Sequence, residues 1–139
     1  MSSVFGLMFQ KPALLFDLNH LMGGGRVAMN TLRETLFAQP VSELDLQRYF
    51  RYAQTESHRA IWDMTLFNLP HPSRVGDVPL LVLGAEFDHL IAPTLVEMTA
   101  RTYGVEAEIF PDMGHGLMLE RDWVKAARRI HDWLASKDL

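Results

Sequence analysis

The chain of 139 residues contains no cysteine. That excludes disulfides, thiolate-bound zinc and thiol catalysis, and it fits a cytoplasmic location, which is the expectation. Basic residues are outnumbered, with 13 Lys and Arg against 17 Asp and Glu and a net charge of -4. No basic stripe of the kind that follows a phosphate backbone is present, so no nucleic-acid partner is expected. Long apolar runs are missing too. The first 24 residues, "MSSVFGLMFQKPALLFDLNHLMGG", are broken by Lys11, Pro12, Asp17 and His20, well short of the roughly 20 apolar residues a span needs. They also lack the positive start of a leader peptide. Neither a membrane span nor a leader is therefore expected. No pair among the six histidines has H-x-x-x-H spacing, and no glycine-rich loop follows a strand. Neither a metal nor a nucleotide is called for, and no cofactor is implied. Serine is scarce: Ser2, Ser3, Ser42, Ser57, Ser73 and Ser136 are all there are, and none sits in a G-x-S-x-G setting.

What is present divides near residue 70. Residues 1–70 read as a helical, cap-like region. Pro12 suits a first helical position, and "PALLFDLNHLM" runs to the break at Gly23, Gly24 and Gly25. "VAMNTLRETLF" is a second helix ended by Pro40. Ser42 and Asp45 resemble a capping box opening "ELDLQRYFRYAQTE", with Leu46, Tyr49, Phe50 and Ala53 on one face. Ser57 is placed to cap "HRAIWDMTLF". Three of the seven prolines and a glycine fall in residues 68–79, which marks residues 71–78 as a linker.

Residues 79–139 change period. "LLVLG" has the composition of a strand buried on both faces, as in parallel sheets. "APTLVEMTARTYG" is helical, with Gly104 just past its end. "VEAEIF" alternates with period two. Over 119–135, Trp123, Ala127, Ile130 and Leu134 form a stripe at helical spacing. The order strand, helix, strand, helix predicts a parallel β-α-β-α unit. The fold class is α/β.

Two residues stand out as chemistry. Asp88 lies five residues past Leu83, the expected end of the first strand, and His115 lies five past Phe110, the expected end of the second. Parallel neighbours deliver the loops after their carboxyl ends to one edge of the sheet, where sites in open α/β sheets are built. An aspartate there can fix the tautomer of an imidazole, leaving Nε2 to take a proton from a hydroxyl. Gly114 and Gly116, flanking His115, permit a sharp turn and a close backbone approach. Other uses stay open at this point. Glycine-flanked histidines occur in ordinary loops, and an aspartate after a strand commonly caps the next helix. Glu120 is read as a first-turn helix charge, Glu86 as a solvated loop charge, and Arg26 and Arg59 as surface charges.

"VPLLVLGAEFDHLIAP" followed by "AEIFPDMGHGLMLERDW" resembles the acid and histidine segments of the α/β-hydrolase superfamily, closest to its cap-bearing esterases, lipases and lysophospholipases. The resemblance covers roughly residues 78–135. It implies a helical cap in residues 1–70, ester or acyl hydrolysis by Ser-His-Asp chemistry, Asp88 as the triad acid and His115 as the base, and a small apolar ester as substrate. The nucleophile elbow and the oxyanion segment of that family have no counterpart here. "GGGR" at 23–26 lies between helices and is read as a helix break. "MSSVFGLMF" is similar to the end of a strand that leads into a cap. The resemblance is thus to a C-terminal half, and the chain alone is expected to be inactive. Two parallel strands do not make a stable sheet of this class, so a homo-oligomer or a complex with the missing N-terminal half is expected. The alternatives are a non-enzymatic oligomeric binding protein for apolar small molecules, and an active oligomer that uses Ser2 or Ser3 of a second copy.

Overall fold

The computed structural model describes residues 29–52, 57, 59–60, 63 and 71–138. The helix expected from Pro12, the Gly23–Gly25 break, Ala53 and most of "HRAIWDMTLF" lie outside the described residues. The elements in chain order are α1 (Met29–Leu36), α2 (Glu43–Tyr52), a single 3-10 turn (Pro72–Arg74), β1 (Val82–Ala85), α3 (Pro93–Thr102), β2 (Ala107–Phe110) and α4 (Val124–Ala135). The chain is therefore of mixed α/β type. None of the described helices is long and apolar enough to cross a membrane.

Local chemistry sets the helix ends. Ser42 Oγ accepts the N–H of Asp45 at 3.1 Å and donates to its carboxylate at 2.6 Å, so the capping pair opens α2 as its spacing predicts. Ser57 Oγ accepts the N–H of Ala60 at 3.3 Å. Pro93 stands in the first turn of α3, where its missing N–H costs nothing. At the other end of α3, Gly104 takes φ +71°. Its N–H bonds the carbonyl of Arg101 at 3.1 Å, and the N–H of Val105 bonds that of Ala100 at 3.0 Å. This pair of bonds closes the helix and turns the chain toward β2.

The two strands pair in parallel, with Val82 opposite Ala107 and Ala85 opposite Phe110. β1 thus runs to Ala85, two residues beyond the expected end at Leu83. Gly84 and Ala85 are small enough to suggest a turn, yet both are held in the pairing. Helix α3 packs across both strands and comes close at Gly84, where an added Cβ would lie 2.8 Å from Ile109 Cδ1 and 3.0 Å from Val96 Cγ1. On the other face, Arg129 of α4 holds Glu108 of β2 through a two-pronged ion pair. At this half-exposed position solvent screens the pair, so its contribution to stability is small.

Three expectations about burial change. β1 is buried only toward its carboxyl end, at Gly84 and Ala85. All four residues of β2 are half-buried, so its alternating sequence is not matched by alternating burial. Helix α4 starts at Val124, after a series of turns from Leu117 to Trp123. Its apolar stripe is left half-exposed among the described residues: Trp123 is 49% exposed, Ile130 41% and Leu134 38%. Spacing puts these side chains on one face, and that face is only partly covered. The helical region has its own core of Leu32, Phe37 and Leu46. Phe37 stacks on Tyr49 with ring centroids 6.0 Å apart.

Gly104→Ala is expected to lower stability by about 1–2 kcal/mol, because a Cβ is strained in the left-handed region even though no atom obstructs it. Urea unfolding of the two proteins checks this.

Candidate functional site

Hydrogen bonding between the chain segments of β1 and β2 does not stop where the strands do. Glu86 N–H donates to the Phe110 carbonyl at 3.0 Å, and Phe87 N–H donates to that of Met113 at 2.9 Å. Across the same gap, Asp112 N–H donates to the Glu86 carboxylate at 3.1 Å. Glu86 is therefore more than a solvated charge: it ties one loop to the other. Asp112 adopts φ +57° in this turn, a conformation short polar side chains tolerate. The two loops leave the sheet joined, and each carries one member of the expected pair.

Asp88 uses both carboxylate oxygens. Its Oδ1 accepts the N–H groups of Leu90 and Ile91, each at 2.8 Å. Its Oδ2 lies 2.9 Å from His115 Nδ1. Of the two uses that the sequence left open, only the histidine partner is realised: Oδ1 closes a turn in its own loop, ahead of α3, whose first turn has no side-chain cap. Burial raises the Asp88 pKa, but the bond from His115 and the N–H groups of Ile91 and Leu90 outweigh it. The net result lies below the ordinary carboxylate value. An ionised carboxylate can only accept, so Nδ1 carries the hydrogen of this bond. In the neutral ring Nε2 then holds a free lone pair. The Asp88 side chain is 8% exposed and that of His115 34%, so the acid is enclosed and the imidazole reaches the surface. Among the described residues, hydrogen bonding to the ring is confined to Nδ1.

The glycines beside His115 serve close approach. At Gly114 a Cβ would stand 2.8 Å from both Ala38 N and Leu36 O. Gly116 N–H donates to that same Leu36 carbonyl at 2.7 Å. The histidine loop is thus laid against the chain leaving α1. Glu120 makes the junction and corrects the expectation of a first-turn helix charge. It precedes α4 and is 1% exposed. Its Oε1 accepts the N–H groups of Ala38 at 2.7 Å and Gly114 at 2.8 Å, and its Oε2 accepts that of Gln39 at 3.2 Å. Gln39 returns the contact through Oε1, which accepts Asp122 N–H at 3.0 Å. The sequence reading gave this carboxylate to the helix and not to the loop before it. The available signal was a lone acid ending the apolar run "GLMLE".

Four serines lie in the described part, and each is engaged away from His115. Ser42 and Ser57 cap helices, Ser73 bonds His71, and Ser136 donates to the Trp133 carbonyl. Ser2 and Ser3 lie outside the described residues, as does Arg26. Arg59 is a solvated partner of Asp63. Among the described residues no group of three or more His, Asp and Glu side chains gathers as metal ligands. The two loops also carry exposed apolar side chains. Phe87 and Ile91 flank Asp88, and Met118 follows His115 and is 70% exposed.

Comparison with known proteins adds no relative: no protein-family model matches the chain, and no curated protein or solved structure matches it.

The lowered pKa of Asp88 has a consequence for folding. Because the folded value lies below the unfolded one, the stabilisation it represents is complete above the ordinary carboxylate range and fades as pH falls through the folded value. Asp88→Asn is therefore expected to be clearly less stable than the parent at pH 7, with the gap narrowing below about pH 4. Denaturant midpoints across that range measure it.

Proposed function

We propose that this chain contributes the acid and base of an ester- or acyl-hydrolysing site of the α/β-hydrolase kind. Asp88 orients His115, and His115 Nε2 takes a proton from a hydroxyl nucleophile that arrives from outside the described residues. The bond between Asp88 Oδ2 and His115 Nδ1, 2.9 Å long, carries this reading. The order of acid before histidine, and their position after the carboxyl ends of two parallel strands, support it. In the scheme a serine-type oxygen attacks the carbonyl carbon as its proton passes to Nε2. The imidazolium, stabilised by Asp88, then returns the proton to the leaving oxygen. The exposed Phe87, Ile91 and Met118 on the same two loops suit a small apolar ester.

The nucleophile and the oxyanion donors belong, in this reading, to a second polypeptide segment: an N-terminal half or another copy of the chain. Two observations favour completion by such a partner. The sheet has only two strands among the described residues, and unpaired strand edges invite further pairing. The α4 stripe is also only partly covered there.

The test is hydrolysis of a short-chain chromogenic ester by the purified chain beside its His115→Ala variant. Equal, background rates are expected, because without an attacking hydroxyl and an oxyanion hole the pair has no reaction to assist. Turnover that His115→Ala abolishes would contradict the half-site reading, since the nucleophile would then lie in the assembly this chain forms alone. Tight binding of an apolar ligand that is never consumed and is indifferent to His115 would favour a binding protein instead.

A further inference from the structure

We infer that Glu120 is a positioning residue for His115, and that through it the turn after α1 sets where the imidazole stands. The inference rests on the reading of His115 as a base for its catalytic meaning. One carboxylate oxygen, Glu120 Oε1, is shared by the N–H of Gly114, the residue before His115, and the N–H of Ala38, more than 70 residues away in the chain. The other oxygen holds Gln39. Three N–H groups from two distant segments thus converge on one side chain that is 1% exposed. Bonds to a carboxylate are about twice as strong as neutral ones, and losing the acceptor would leave the buried donors of Gln39 and Gly114 without partners.

The geometry leaves the loop little freedom to stand elsewhere. Gly114 fits against Leu36 and Ala38 only because it has no side chain, and Gly116 is bonded to Leu36 on the far side of the histidine. His115 is therefore fixed on both flanks to the same turn, while its ring is fixed to Asp88. A shift of the helical region relative to the sheet must move the imidazole against the aspartate or break the Glu120 bonds. Those bonds thus couple whatever displaces the turn to the state of the base.

The test reads the imidazole directly in the 139-residue chain. In the parent, His115 Nδ1–H is expected as a downfield, slowly exchanging proton resonance. Glu120→Ala is expected to lose it while the amide signals of β1 and β2 persist. Glu120→Gln is expected to keep it, since one amide oxygen can replace Oε1. Persistence of the resonance in Glu120→Ala would overturn the proposal. If that variant does not fold, hydrogen exchange in the parent decides. The amides of Ala38, Gln39 and Gly114 should open together with the His115 Nδ1 proton, and a Gly114 amide that exchanges independently of Ala38 would overturn it. Neither readout needs ester turnover, so a failed ester assay and a failed clamp are told apart.

Discussion

The parallel pairing of β1 and β2, continued by two backbone bonds beyond the strand ends, is the constraint on which the site depends. Side chains in a loop are free to wander unless the loop is held, and holding it costs conformational entropy of about 1–2 kcal/mol per residue. Here the loops bearing Asp88 and His115 are held to each other. The 2.9 Å bond between them joins two loops that backbone bonds also hold together. Removing the ladder bonds would release both loops, whereas removing the Asp88–His115 bond would leave both loops joined. The scaffold and the chemistry are thus separable, as expected where a site is built on a rigid sheet edge.

A second junction ties this edge to the helical region. The core of Leu32, Phe37 and Leu46 sits beneath the turn that Glu120 grips, so apolar packing on one side and buried hydrogen bonds on the other fix the same few residues. What remains partly uncovered among the described residues is the outer face of α4 and the edges of the sheet. Burial of apolar surface stabilises by roughly 25 cal/mol per Å². A partner that covered the stripe and extended the sheet would gain from both the apolar contact and the backbone pairing. In the proposed reading the same partner would also bring the nucleophile.

The α/β pattern and the meeting of Asp88 with His115 were legible because both follow from period and chain order. Parallel strands send their loops to one edge whatever the exact strand ends, so the misplaced end of β1 did no harm. Burial was less legible. The stripe on α4 correctly groups Trp123, Ile130 and Leu134, but periodicity says which residues share a face and not whether anything lies on it. Helix α4 was extended too far toward its start because the turns before Val124 repeat near-helical bonds, such as Trp123 N–H to Glu120 O at 3.1 Å. The partners of Glu120 were less legible still. They are backbone N–H groups, which every residue but proline carries and which leave no mark in the sequence.

The central question is whether His115 can serve a nucleophile brought by another polypeptide. The most direct measurement supplies that nucleophile in trans, on a polypeptide carrying a G-x-S-x-G elbow and its strands, and follows ester hydrolysis by the mixture. The account predicts turnover that His115→Ala abolishes and that Asp88→Asn lowers by about 10⁴-fold, the size of effect seen when an imidazole loses the acid that fixes its tautomer. Turnover in the mixture that proceeds unchanged without His115 would contradict it.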